Sequence, residues 1–243
     1  MRILVIADIH GNMAALEAVF AAAGPIDRVW CLGDVVGYGP RPRECVEWIR
    51  ERAGPTTVLG NHDVACLGRV PLEGFNPVAR YALRWTMLQV GPEHRAFLES
   101  LPEKLVLDEV TLVHGSLRAP VWEYVFTSEQ ARANFDLLRT RLCFFGHTHV
   151  PFVLSEEAAR KGESPSRPDD GDVVDVHAGR FLVNPGSVGQ PRDGDPRAAF
   201  MIWEPERGQL TFRRVPYNIA AVQAEMAAAG LPQLLIERLA LGY

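Results

Sequence analysis

The sequence predicts an α/β fold, and three observations carry that expectation. Short apolar runs of strand type alternate with helix-type runs as far as residue 145. The first run, RILVIA (2–7), is apolar without polar alternation, as a strand covered on both faces must be. The chain has 243 residues, 47% hydrophobic and 23% charged, which suits one large α/β core. No internal repeat and no domain boundary is visible, so one domain over 1–243 is expected.

The elements run in this order. After RILVIA, a helix over 12–23 places Met13, Leu16, Val19 and Phe20 on one face, with Asn12 as its cap. VWCL (29–32) reads as a strand. Pro42 opens the next helix, with Val46 and Ile49 inward. TTVL (56–59) reads as a strand. Residues 76–100 read as two helices broken at Gly91-Pro92, and the aromatic-rich stretch 75–85 is expected to cover the core. VTLV (110–113) and LCFF (142–145) are further strands, with a helix over 128–138 between them. Beyond Val150, VPFVL, VVDVHA, RFLVN, AAFMIW and LTFRRV read as strands with antiparallel pairing. The polar segment within them, 155–175, is expected to be a mobile hairpin loop. The end, 216–243, is expected to be helical, with a break at Gly230-Leu231-Pro232.

Composition excludes several function classes. No apolar run approaches the roughly 20 residues of a membrane span, so no membrane partner is expected. The N-terminal run is interrupted by Asp8 and His10 and reads as a core strand, not a signal peptide. The four cysteines, Cys31, Cys45, Cys66 and Cys143, lie far apart without a CxxC, which points to small buried side chains and a cytoplasmic location. The net charge is −5 and no Lys/Arg cluster forms a nucleic-acid footprint. Affinity for an anionic substrate must therefore be made locally.

The residues just past each strand are more informative. RILVIA leads into Asp8-Ile9-His10-Gly11, VWCL into Gly33-Asp34, and TTVL into Gly60-Asn61-His62-Asp63. VTLV leads into His114-Gly115, and LCFF into Gly146-His147-Thr148-His149. The carboxyl ends of parallel strands form one rim where ligands bind, so these groups should converge. Five of the seven histidines lie in these motifs; His94 and His177 read as surface or packing residues. Asp8, Asp34, Asn61, His10, His114, His147 and His149 offer only oxygen and nitrogen donors, which suits Mn, Fe, Zn, Co or Ni. Seven donors exceed the four of one tetrahedral site, so two divalent ions sharing a carboxylate are expected, manganese first among the candidates.

Together the motifs Asp8-x-His10, Gly33-Asp34, Gly60-Asn61-His62-Asp63, His114 and Gly146-His147-x-His149 resemble those of the calcineurin-like metallophosphoesterase superfamily. Asn184-Pro185-Gly186-Ser187 is similar to a later segment of its small prokaryotic phosphodiesterase-like members. The resemblance implies a four-layer αββα sandwich of two mixed β-sheets flanked by helices. It implies that Asp8, His10 and His149 bind one metal, that Asn61, His114 and His147 bind the other, and that Asp34 bridges them. It implies two catalytic residues, a protonated His62 facing the substrate and Asp63 orienting it. The implied reaction is in-line attack of a metal-bridging hydroxide on the phosphorus of a phosphorylated small-molecule or nucleotide-like substrate, most simply a phosphodiester.

Two other readings stay open. Relatives that act as phosphoprotein phosphatases or dinucleoside polyphosphate hydrolases continue the second motif as GDxVDRG and the third as GNHE, where this chain has GDVVGYG and GNHD. Arg41 and Arg43 could stand in for the absent guanidinium. An interaction scaffold on the same fold should lack a ligand or the catalytic histidine, and this chain keeps all of them. Tyr38, Arg192 and Asn184 read as structural, and substrate choice is expected from loops 36–43, 64–76, 115–127 and 186–196.

Overall fold

The computed structural model describes residues 1–243. In chain order the first half contains β1 (Ile3–Ile6), α1 (Met13–Ala23), β2 (Arg28–Cys31), α2 (Pro42–Ala53), α3 (Asn61–Cys66), α4 (Pro77–Gln89), α5 (Pro92–Ser100), β3 (Lys104–Leu107) and β4 (Val110–Val113). The second half adds α6 (Ser128–Phe135), β5 (Leu142–Phe144), β6 (Phe152–Ser155), α7 (Glu156–Lys161), β7 (Val173–Asp175), β8 (Phe181–Asn184), β9 (Ala198–Glu204), β10 (Gln209–Val215), α8 (Ile219–Ala228) and α9 (Gln233–Arg238).

The first strand explains the layering. Successive strand side chains point to opposite faces, so an unbroken apolar strand needs cover on both. In β1, Ile3 and Val5 join a cluster with Phe144, Val183 and Trp203, between the two sheets. Leu4 and Ile6 join another with Leu16, Val19, Val46 and Ile49 of α1 and α2. On the far side, Val113, Cys143 and Leu182 pack under Ala131 and Phe135 of α6 and Ala159 of α7. The result is helix, sheet, sheet, helix. One sheet has the order β2-β1-β9-β10-β7 and the other β3-β4-β5-β8-β6. Phe144 and Trp203 meet edge to face across the middle at 6.2 Å, and burying each ring fully contributes on the order of 2–3 kcal/mol.

Both sheets are mixed. β1 and β2 are parallel, as are β4, β5 and β8, while the remaining pairs are antiparallel. The antiparallel pairing expected after Val150 therefore has one exception, β8, which runs parallel to β5.

Other differences have physical causes. TTVL is not a strand: a 3₁₀ turn occupies Gly54–Thr56, and only Thr57 bridges Cys31. Pro55 helps set that turn, and Gly60 starts α3 before a ladder can form. β3 gives no clear sequence signal because its burial alternates at an edge, with Asp108 at φ 49° turning the hairpin into β4. The segment expected as a hairpin loop instead carries α7 and crosses from one sheet to the other. Its charges suit a helix: Ser155 caps it, Glu156 and Glu157 open it, Arg160 and Lys161 close it, and Gly162 ends it in the left-handed region. The helix expected to reach 138 stops at Phe135. No helix is long and apolar enough to cross a membrane.

Candidate metal centre

The rim is built first by backbone. The loop after β1 is zipped to the loop after β2 by Asp8 N to Gly33 O (3.1 Å), His10 N to Asp34 O (2.9 Å) and Gly11 N to Val35 O (2.9 Å). Across the gap, Gly146 N donates to His114 O at 2.8 Å. Six non-glycine residues have left-handed backbones, and five are predicted ligands: Asp8 (54°), His10 (49°), Asp34 (54°), His147 (66°) and His149 (60°). Such conformations cost roughly 1–3 kcal/mol each and persist only where the surroundings hold them. At Gly60, a Cβ would collide with the backbone N and carboxylate of Asp34, so only glycine lets α3 start this close.

The seven predicted ligands converge. Asp8, His10, Asp34 and His149 form one group and Asp34, His114 and His147 another, the ligand atoms of each lying within 4.8 Å of one another; all are buried. Asp34 belongs to both, its Oδ2 lying 3.6 Å from His10 Nε2 and 3.4 Å from His114 Nε2. Asn61 Oδ1 joins the second group, 3.1 Å from His114 Nε2.

Each imidazole is aimed by a backbone carbonyl. His10 Nδ1 donates to Val36 O (3.2 Å), His114 Nδ1 to Leu32 O (2.8 Å), His149 Nδ1 to Gln190 O (2.6 Å) and His147 Nε2 to Trp122 O (3.2 Å). That fixes the tautomers and turns the other nitrogen of each ring, a lone pair when the ring is neutral, toward the cluster. Yet two of these acceptors face one another, His10 Nε2 lying 3.1 Å from His149 Nε2, while His114 Nε2 reaches His147 Nδ1 at 3.2 Å. Asp34 Oδ2 is buried among them with no hydrogen-bond partner. Converging lone pairs around an orphaned carboxylate oxygen are what cations resolve, and the all-N/O donor set fits divalent transition metals.

Protonation says the same. Burial pushes His10 and His149 well below the usual histidine range and His147 down to about 3, leaving neutral ligands. His114 is raised to about 9; burial opposes this, but the Asp34 and Asp8 carboxylates outweigh it. Asp34 is correspondingly held well below its usual value against its own burial, by the positive charge of His114. Burial and Asp34 raise Asp8 to about 7. Without metal, a proton on His114 takes the place of a cation.

His62 lies beside the cluster, its ring 4.8 Å from His10 and 4.5 Å from Tyr38. The expected contact with Asp63 is not made. The Asp63 carboxylate accepts from Val36 N (3.1 Å) and Gly60 N (3.0 Å), fixing the backbone on both sides of the site, while His62 Nδ1 is buried without a partner. Nor is His62 protonated at neutral pH in the metal-free protein: burial lowers it to about 4.

A cavity of about 620 Å³ opens against Asn61, His62 and His147. Its walls include residues from all four loops expected to choose substrate, among them Tyr38, Phe75, Trp122, Tyr124 and Arg192. Sequence reasoning underrated several of these. Tyr38 and Arg192 line the cavity, and Phe75, which packs against the core as expected, also lines it, edge-on to His62 at 5.4 Å. Arg238, from α9, had no signal in any motif. Arg41 and Arg43 are not in the cavity: Arg41 is paired with Glu225 at 2.6 Å, and Arg43 donates to the carbonyl of Gln89. Asn12 caps α1 and binds Gly189 O, as a structural residue would. Asn184 does more than bond its own turn, since its amide also holds Gly146 O and Thr148 Oγ1. His94 is a buried packing residue bonded to Glu47, and His177 is exposed.

Comparison with known proteins agrees with this geometry. Residues 1–208 match the family model for the calcineurin-like phosphoesterase superfamily domain. The crystal structure of a metallophosphoesterase from Sphaerobacter thermophilus is 54% identical and superposes with a TM-score of 0.95, covering 100% of this chain and 99% of that one. The uncharacterized protein MJ0912 of Methanocaldococcus jannaschii is 38% identical over 99% of this chain and 98% of its own length. Phosphodiesterase YfcE of Escherichia coli is 26% identical over 83% of this chain and 87% of its own.

Proposed function

The chain belongs to the calcineurin-like phosphoesterase superfamily and is a phosphoester hydrolase of it, and we propose that it cleaves a phosphodiester of a small, nucleotide-like substrate with two bound divalent ions. Asp8, His10 and His149 would hold one ion, Asn61, His114 and His147 would hold the other, and Asp34 would serve both. The observation that carries this reading is the pair of neutral acceptors, His10 Nε2 and His149 Nε2, pointing at one another beside the unpartnered Asp34 Oδ2. Manganese is the first candidate among Mn, Fe, Zn, Co and Ni. The free, buried cysteines accord with a cytoplasmic location.

When bound, such ions polarise phosphoryl oxygens and make water a nucleophile at neutral pH. The chain's own groups do the rest. Asp63 holds the Gly60 and Val36 amides, and Asp34 Oδ1 accepts from His62 N at 2.8 Å, so the backbone carrying His62 is clamped from two sides. The His62 ring is neutral before substrate arrives, and His62 lines the cavity. A phosphate anion beside it offsets the desolvation that lowers its pKa, so His62 takes up a proton as substrate binds and passes it to the leaving oxygen. The cavity leaves room for more than a bare phosphate. The diester preference draws support from YfcE, a relative named as a phosphodiesterase.

The test compares bis-p-nitrophenyl phosphate with p-nitrophenyl phosphate, using chelator-stripped protein with and without Mn²⁺. Mn-dependent cleavage favouring the diester is the expected result. Preference for the monoester would replace the reading with a phosphatase. No turnover of either by protein that holds two ions would favour a scaffold.

A further inference from the structure

Relatives with GDxVDRG place the arginine of that motif where this chain has Tyr38, in Gly33-Asp34-Val35-Val36-Gly37-Tyr38-Gly39. The fold returns a guanidinium to that spot from a distant segment. Arg192, in the loop between β8 and β9, lies over the Tyr38 ring at 5.8 Å, its Nη2 3.5 Å from the phenol oxygen. The Tyr38 ring in turn is 4.7 Å from that of His10 and 4.5 Å from that of His62. The loop carrying Arg192 is bonded to a predicted metal ligand: Arg192 N donates to His149 O (3.2 Å), and Gln190 O accepts from His149 Nδ1 (2.6 Å). Arg192 shares the cavity with Asn61, His62 and His147.

The fold does not use this guanidinium as it uses other partly buried arginines. Arg141, Arg180 and Arg214 each hold a carboxylate. Arg192 holds none, and no Asp or Glu lines the cavity. Its bonds run from Nη2 to two neutral oxygens, Gln190 Oε1 (3.1 Å) and the Tyr38 hydroxyl, and Nε is buried without a partner. These contacts orient a planar fork without neutralising it. Burial governs the protonation of Asp8, His10, His62 and His149, and the Arg192 charge acts on all four in one sense, toward loss of a proton. Its field therefore reaches the cluster. A guanidinium fork matches two oxygens of one phosphoryl group. We propose that Arg192 binds the phosphoryl group undergoing hydrolysis, donating to its non-bridging oxygens and stabilising the charge that builds there. It replaces the arginine absent from the second motif, a part that Arg41 and Arg43, bonded elsewhere, do not play. This rests on the phosphoester hydrolase reading and adds a substrate-binding residue to its site.

The experiment compares the Mn-loaded wild type with Arg192→Ala and Arg192→Lys. Elemental analysis should find the same metal content in all, because backbone groups of the loop, not the guanidinium, hold His149. Calorimetric titration with inorganic phosphate should show about tenfold weaker binding to Arg192→Ala. Its kcat/KM on bis-p-nitrophenyl phosphate should fall about 10²–10³-fold, with Arg192→Lys in between. Guanidinium chloride, at concentrations that leave the fold intact, should restore part of the turnover of Arg192→Ala and add none to the wild type. Phosphate affinity and turnover within about twofold of the wild type in Arg192→Ala overturn the role. So does lost turnover with unchanged phosphate affinity and no response to guanidinium, because the side chain then only braces its loop. A wild type that cleaves neither p-nitrophenyl ester removes the hydrolase reading, and the phosphate titration then decides on Arg192 by itself.

Discussion

Asn184 tests how the strained ligand turn is held. It is fully buried, its amide nitrogen donating to Gly146 O (2.6 Å) and Thr148 Oγ1 (3.0 Å) and its oxygen accepting from Gly186 N (2.8 Å). Asn184→Ala removes all three bonds at once. Each buried group left unsatisfied costs about 1–3 kcal/mol, and a water entering the space recovers part of that. The net loss is about 3 kcal/mol, which for a chain of this size lowers Tm by roughly 6–12 °C. The same bonds pin the turn in which His147 and His149 hold left-handed backbones. Releasing it should weaken metal binding about 10–100-fold, the effect of losing an outer-shell support. Urea melts of the metal-free protein and a Mn²⁺ titration followed by calorimetry read the two effects, and activity should return at saturating metal. A variant within about 0.5 kcal/mol of the wild type, with unchanged metal affinity, would refute the reasoning.

Three further outcomes are expected. His62→Ala should retain both metals by elemental analysis and lose about 10²–10⁴-fold in kcat on bis-p-nitrophenyl phosphate; full activity would remove His62 from the chemistry. Asp34→Asn keeps the oxygen that accepts from His62 N but points an N–H₂ group at His10 and His114, so it should bind neither metal tightly, and a fully loaded variant would contradict the shared-ligand role. Because His114 sits at about 9 in the metal-free protein, incoming metal must displace its proton. Loading near pH 7.5 should therefore release about one proton per chain, and apparent affinity should climb with pH until about 9. Calorimetry in buffers of different ionisation enthalpy measures this, and zero release with flat affinity would contradict it.

The sequence was most legible where several weak signals had to agree. GD or HG alone means little, but five motifs in order, four of them at strand ends, pointed to one rim, and Asp8, His10, Asp34, Asn61, His114, His147 and His149 do meet there. It was least legible where tertiary neighbours decide. TTVL has strand propensity, yet Pro55 and Gly60 confine it to one bridge. α7 hid in a polar stretch whose charge order, rather than its hydrophobicity, makes the helix. Adjacency in sequence suggests that Asp63 meets the His62 ring, but α3 turns the carboxylate to Gly60 and Val36 instead. The protonation of His62 depends on burial that no motif encodes. Phe75, Trp122 and Arg238 reach the cavity from three separate segments, and only the fold shows that they share it.

The central claim is that two ions, sharing Asp34, make this chain a phosphoester hydrolase. The most direct measurement titrates chelator-stripped protein with Mn²⁺ while following bis-p-nitrophenyl phosphate cleavage. Activity should be absent without metal, stay low after the first equivalent, and reach its plateau at two equivalents per chain. A plateau at one equivalent, or turnover without added metal in protein shown to be metal-free, would contradict it.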